Sequence, residues 1–250
     1  DSPDDIRRLG GMDPAKLEDL KQWLLQSDDR PFAAVVIRHG YVVLEVVRDH
    51  SSIANTKDVK SCAKAICATV LAIASEESQH GKTPRRMTFD DPAFDFIPWA
   101  QPLSDPRKAQ IKVKQLLNHT SGITPEGYWV ANVQKWEYIL GHGGDGKTAS
   151  LYFDPGTALE YSTHGLYHAA LVCENVTGQP YDQYCTEHLL QPLGIEHWWF
   201  QILDGDAQHG RHASHTLGLP ARELARIAYC MLHDGRWDQQ QVIPRWFVEQ

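Results

Sequence analysis

The apolar positions follow three different rhythms over the first 75 residues. After Asp13-Pro14, an N-cap followed by proline at the first helical position, Leu17, Leu20, Trp23 and Leu24 recur at helical spacing. They predict an amphipathic helix from 13 to about 26. Phe32–Arg38 and Tyr41–Val47 are rich in β-branched residues and are separated only by His39-Gly40, which predicts an antiparallel hairpin. After a polar approach at Asp58–Lys60, the chain to Ala74 is an almost unbroken run of small and apolar residues, opened by Ser61, with Lys64 its only charge. Good helix formers without Gly or Pro, apolar on nearly every face, predict a buried helix. The run is too short to cross a bilayer, and Lys64 interrupts it.

Beyond Met87 the texture changes. Asp90-Asp91-Pro92, Ile97-Pro98 and Leu103-Ser104-Asp105-Pro106 punctuate a loop-rich stretch. Short helices are expected at 111–118, 130–140, 165–177 and 181–190. Leu224, Ile227, Met231 and Leu232 mark a last helix ending near Gly235. Gly141–Gly146 lacks the context and pattern of a phosphate cradle and reads as a turn.

Composition narrows the field. The 250 residues carry 24 basic against 32 acidic groups, net −8, which argues against a nucleic-acid partner. The 42% hydrophobic content and eight Trp suffice for a core, and no stretch reads as a membrane span. The five cysteines (Cys62, Cys67, Cys173, Cys185, Cys230) show no C-x-x-C spacing and read as buried thiols, at least one of them unpaired. The chain begins at Asp1 without a signal-like segment, so a leader removed or a trimmed end are both compatible with it. Localisation stays open, with a periplasmic or secreted place favoured.

The buried run also holds candidate chemistry. Ser61 and Lys64, three apart, share one helical face. A serine hydroxyl is a poor nucleophile until a neighbour takes its proton, and an amine one turn away can do so. The helix N-terminus adds N–H groups and a dipole suited to a developing oxyanion. Serine followed three residues later by lysine is common, however, and by itself marks a helix cap and a solvated charge. A second motif is needed.

Two further stretches supply it. Gln115-Leu-Leu-Asn-His-Thr-Ser-Gly-Ile123 is one. The other is Phe153-Asp-Pro-Gly-Thr-Ala-Leu-Glu-Tyr-Ser-Thr-His-Gly165, running into Val176-Thr-Gly-Gln-Pro-Tyr181 and Pro192-Leu-Gly-Ile195. Together with Ser61-Cys-Ala-Lys64 they resemble the S-x-x-K serine hydrolases related to class C β-lactamases, a group that includes esterases and D-amino-acid peptidases. The resemblance runs from the hairpin at 32 to the end of the chain. It implies Ser61 as acylated nucleophile, Lys64 as its proton acceptor and Tyr161 as the partner sharing acid–base work. It also implies a β-lactamase/transpeptidase-like fold, a mixed α/β (α+β) domain with an antiparallel sheet flanked by helices. Residues 1 to about 85 and 205–250 would bear the sheet, with a mostly helical part at about 86–204.

Two departures count. Thr163 stands where the family usually has asparagine, so this candidate substrate-binding position offers a hydroxyl in place of an amide. A K-T-G or H-x-G strand, which would complete the oxyanion hole, is expected beyond Gln250. The single domain of residues 1–250 therefore reads as lacking its C-terminal strands.

Rival readings are weaker. Asn118–Gly122 tempts a Ser–His pairing, but there is no G-x-S-x-G elbow, and His119 and Ser121 read as packing and hydrogen-bonding groups. His164 and His168, or His209, His212 and His215, have metal-ligand spacing, but no carboxylate completes a three-ligand site. Metal: none, and cofactor: none, are expected. The function expected is hydrolysis of a small-molecule ester, amide or β-lactam carbonyl through an acyl-enzyme, esterase-like chemistry being favoured. A slowly acylated or non-catalytic penicillin-binding-like sensor domain is the alternative, with a metal-dependent hydrolase as the third reading. Oligomeric state is not legible.

Overall fold

Local sequence rules account for the elements that surround Ser61. The computed structural model describes residues 2–27, 29–48, 55–125, 140–141, 148–203 and 212–250. The helix expected at 130–140 and most of the glycine-rich turn at 141–146 lie outside the described residues. After a short helix α1 (Pro3–Arg8), helix α2 (Pro14–Gln26) starts where Asp13 accepts a hydrogen bond from Ala15 N at 2.9 Å. Strands β1 (Phe32–Arg38) and β2 (Tyr41–Arg48) pair antiparallel, Arg38 opposite Tyr41. The connection His39-Gly40 has both residues at positive φ, as a two-residue hairpin turn requires. Helix α2 packs on β2.

The second sheet carries the entry to the Ser61 helix. Strand β3 (Lys57–Asp58), β4 (Trp199–Leu203) and β5 (His212–Leu219) lie in the order β3-β5-β4, antiparallel throughout. Neither β4 nor β5 follows from apolar alternation. Buried β5 residues include Ser214, His215 and Leu217 in succession around Thr216, so both faces are covered and no polar face marks the strand. β4 also draws a strand from the span expected to be mostly helical.

Helix α3 (Cys62–Gln79) and helix α5 (Thr163–Thr177) pack together at the centre, with the short helix α4 (Val113–Leu117) against α5. Cys67, Val70, Leu71 and Ala74 of α3 meet a core to which Leu166, Ala169, Ala170 and Cys173 of α5 belong. α5 ends at Gly178, whose φ of 71° is the left-handed cap that halts a helix. Helix α6 (Tyr181–Cys185) runs into a π-helical turn at Thr186–Leu190. Helix α7 (Ala221–Leu232) packs on β1. It is followed by the small hairpin of β6 (Arg236–Trp237) and β7 (Gln240–Gln241) and by the short helix α8 (Arg245–Val248). Among the described residues no helix is long and apolar enough to cross a membrane.

One expectation is corrected at the start of α3. The helix is buried along most of its length, but Ser61, Cys62 and Ala65 are exposed and Lys64 is half-buried. One face of its first turn is open, while Ala63 on the other face is buried. Cys62 is thus an exposed thiol, while the other four cysteines, also free, are buried.

Candidate active site

Strand β3 delivers Ser61 to the surface through a tight turn. Val59 N donates to Leu217 O at 3.1 Å, tying the turn to β5. Lys60 adopts a φ of 54°, uncommon for a residue with a β-carbon, and its N–H donates to Asp58 Oδ1 at 2.8 Å. The N–H groups of Cys62, Ala63 and Lys64 donate to the carbonyls of Val59, Lys60 and Ser61. The first-turn donors expected for an oxyanion are therefore engaged. The N–H of Ser61 has no partner among the described residues.

Tyr161 reaches Ser61 from a segment that precedes α5. Its hydroxyl donates to Ser61 Oγ at 2.7 Å. Lys64 Nζ lies 3.5 Å from the same oxygen, at the outer edge of hydrogen-bonding distance. The ammonium also stands 4.8 Å from the centre of the Tyr161 ring, within cation–π range. Ser61, Lys64 and Tyr161 thus meet at one point, and Tyr161 remains 37% exposed. A reagent in solvent can reach this point. A cleft of about 390 Å³ lined by Tyr229, His233, Arg236 and Trp237 involves none of the three.

The segment holding Tyr161 is itself pinned. Ser162 caps α5 by accepting from Gly165 N at 3.2 Å while its hydroxyl donates to Thr124 O at 2.6 Å. Ser162 N donates to His119 Nδ1 at 3.2 Å, and the His119 and Tyr161 rings lie 4.5 Å apart. Sequence reasoning missed this contact; spacing carries no trace of a pair 42 residues apart that meets through ring faces.

The remaining candidates divide. Thr163, the candidate substrate-binding position, is the first residue of α5 and is 7% exposed. Ser121 is 2% exposed and accepts from Ile123 N, as a turn-stabilising residue does. His164 and His168 are buried on α5, with His168 Nδ1 donating to His164 O at 2.7 Å. His215 is 3% exposed beside Tyr167. Burial pushes it down to about 3, with the charge of Lys64 acting the same way. His209 and the side chain of His212 lie outside the described residues. Among the described residues no three His, Cys, Asp or Glu side chains gather as a metal-ligand group.

Comparison with known proteins bears on the family and the fold. Protein flp of Staphylococcus aureus strain MW2 is 26% identical over 181 residues, covering 70% of this chain and 34% of that protein. The chain thus spans about a third of the length of the curated relatives it matches. Among solved structures, a beta-lactamase candidate from Bacteroides dorei DSM 17855 superposes with a TM-score of 0.74 at 21% identity, over 95% of this chain and 68% of that one. The octameric penicillin-binding protein homologue from Pyrococcus abyssi gives 0.68 at 18%, over 95% and 59%. The D-amino acid amidase from Ochrobactrum anthropi SV3 gives 0.66 at 16%, over 93% and 72%. These likenesses establish a β-lactamase/transpeptidase-like fold of helices and antiparallel sheets. The family model described as Beta-lactamase matches residues 21–235, a span that holds Ser61, Lys64 and Tyr161, and the chain belongs to that family.

Proposed function

We propose that the protein is a serine hydrolase that opens an ester or amide carbonyl of a small molecule through an acyl-enzyme on Ser61. The observation that carries the reading is the 2.7 Å approach of the Tyr161 hydroxyl to Ser61 Oγ, with the Lys64 ammonium beside both. Once the pair has lost one proton to solvent, as phenolate beside ammonium or phenol beside free amine, the same short contact can receive the proton of Ser61 Oγ–H.

The proton accounting closes. Ser61 Oγ–H gives its proton to the singly deprotonated Tyr161–Lys64 pair, phenolate with ammonium or phenol with amine, as Oγ bonds to the carbonyl carbon, and the pair then holds both of its protons. A cation beside the phenol oxygen stabilises negative charge there. The carbonyl oxygen becomes an oxyanion, for which the N–H of Ser61 is an available donor. When the tetrahedral species collapses, the carbon–leaving-group bond breaks and the pair returns the proton to the departing oxygen or nitrogen. Water then attacks the acyl-Ser61 ester, its proton passing to the same pair and back to Ser61 Oγ. No cofactor takes part in this sequence.

The exposed setting of Ser61 and Tyr161 supports a substrate arriving from solution. Amide cleavage fits the likeness to the amidase of Ochrobactrum anthropi and to a D-stereospecific amidohydrolase from Streptomyces sp.. The test is covalent labelling of the full-length chain with a serine-reactive phosphonate, mapped by mass spectrometry. One adduct on Ser61 is expected, and a panel of chromogenic esters, amides and β-lactams then ranks the acyl class. Labelling of Ser121, or of no serine, would remove the basis for the proposal.

A further inference from the structure

Tyr161 sits in no helix or strand, yet a hydroxyl that must work at 2.7 Å needs a fixed ring. His119 supplies three contacts to three consecutive residues. Its carbonyl accepts from Glu160 N at 3.0 Å, and its Nδ1 accepts from Ser162 N at 3.2 Å. Its ring lies against that of Tyr161 at 4.5 Å between centroids and 32° between planes, within the range of offset aromatic pairs. An Nδ1 that accepts leaves the proton of the neutral ring on Nε2. To make these contacts His119 adopts a φ of 62°, a left-handed conformation that costs energy in a residue other than Gly, Asn or Asp. The next residue extends the grip, with Thr120 O accepting from Gly156 N at 2.8 Å.

We infer that His119 is a positioning residue for the acid–base tyrosine, a clasp that holds residues 160–162 by both flanking N–H groups and by the face of the ring between them. This inference rests on the acyl-enzyme reading and deepens it. The three contacts of His119 named above run to residues 160–162 and not to Ser61 Oγ. It acts through Tyr161 alone, because a displacement of about 1 Å at a reacting group can cost ~10²-fold in rate.

The experiment is a kinetic cycle on the full-length protein with a chromogenic ester. His119→Ala is expected to lower kcat by about 10- to 100-fold with KM little changed. His119→Asn, which tolerates the left-handed backbone and offers Oδ1 to Ser162 N–H, is expected to recover part of that loss. In a Tyr161→Phe background neither substitution should cost more than about twofold, because the group being positioned is already gone. A loss of full size in the Tyr161→Phe background, or His119→Ala at the wild-type rate, overturns the inference. Should His119→Ala fail to fold by circular dichroism, the same two-background comparison is read from His119→Asn: a loss confined to the Tyr161 background supports the clasp, and an equal loss in both, or none, overturns it. Tyr161→Phe alone at the wild-type rate would instead overturn the use of Tyr161 in the proposed reaction, and this outcome is read before His119 is altered.

Discussion

Tyr161 Oη rests 2.7 Å from Ser61 Oγ although one hundred residues of chain separate them. The contact exists because α3 and α5 pack side by side, which puts the start of one helix beside the start of the other. Ser61 precedes the first, Tyr161 and Ser162 the second. The polar residues sit at the helix ends, where the apolar surface needed for packing stops.

Removing either proton-handling group should leave the packing intact and slow the chemistry. Tyr161→Phe and Lys64→Met are each expected to lower the rate of Ser61 acylation by ~10²–10⁴-fold, the usual worth of positioned acid–base groups. The double variant should fall far short of the product of the two losses, since both serve one proton transfer. Single-turnover kinetics on protein shown to be folded by circular dichroism measures this. Wild-type acylation in Lys64→Met would leave the Ser-x-x-Lys arrangement without its mechanism.

Gly122 anchors the loop that carries His119 and allows no side chain. Its φ is 78°, and an added β-carbon would sit 2.2 Å from Phe153 O. Gly122 O also accepts from Tyr152 N at 2.9 Å. Gly122→Ala must therefore part the 119–122 loop from the 151–153 segment, and is expected to cost about 2–4 kcal/mol through the left-handed backbone together with the lost contact. Chemical denaturation checks it, and a change under about 0.5 kcal/mol would contradict the close approach.

Lys108 is a buried cation with a different task. Its Nζ donates to Ser104 Oγ at 2.7 Å, Leu140 O at 3.1 Å and Thr148 O at 3.1 Å. Lys108→Met keeps much of the volume and leaves those acceptors without this donor, with an expected loss of ~3 kcal/mol. Urea midpoints for the variant and wild type measure it. Unchanged stability would show that solvent or neighbouring groups replace the ammonium.

The sequence was most legible where short-range rules act. Helix α2 and the β1–β2 hairpin follow from Asp13-Pro14, the Leu17–Leu24 spacing and His39-Gly40, each a local preference that the fold keeps. The Ser61 helix was legible from composition, but the exposure of its first turn was not, because that depends on what packs there. Tyr161 was singled out by family resemblance; no periodicity marks it. Strand β5 escaped because His212-Ala-Ser-His-Thr-Leu-Gly-Leu219 has no clean alternation, its polar residues being buried along with its leucines. His119 reads from the sequence as a packing and hydrogen-bonding group, with no partner indicated. Its grip on residues 160–162 works through one carbonyl, one ring nitrogen and one ring face, and such contacts leave no spacing in the chain.

The buried histidines set an acid limit on stability. Burial pushes His168 down to about 3, with the nearby charges of Lys108 and His164 acting the same way. Its Nδ1 donates to His164 O, and its ring lies 5.5 Å from that of Phe94, so a second proton on Nε2 would place a charge in the core. In the unfolded chain the same group takes its proton near pH 6.5. Between roughly pH 6.5 and 3 the unfolded state thus binds more protons than the folded one, and stability rises with pH across that window. Read downwards, the contribution is fully present above about pH 6.5 and is lost at about 1.4 kcal/mol per pH unit as acid is added. His168→Leu removes the titrating group, so its unfolding free energy should fall less steeply than that of the wild type between about pH 6 and 4, by ~1.4 kcal/mol per unit. Urea denaturation at a series of pH values measures both slopes. Parallel slopes would mean that His168 accepts its proton in the folded state, and the core around Phe94 would then have to admit a charge that its burial argues against.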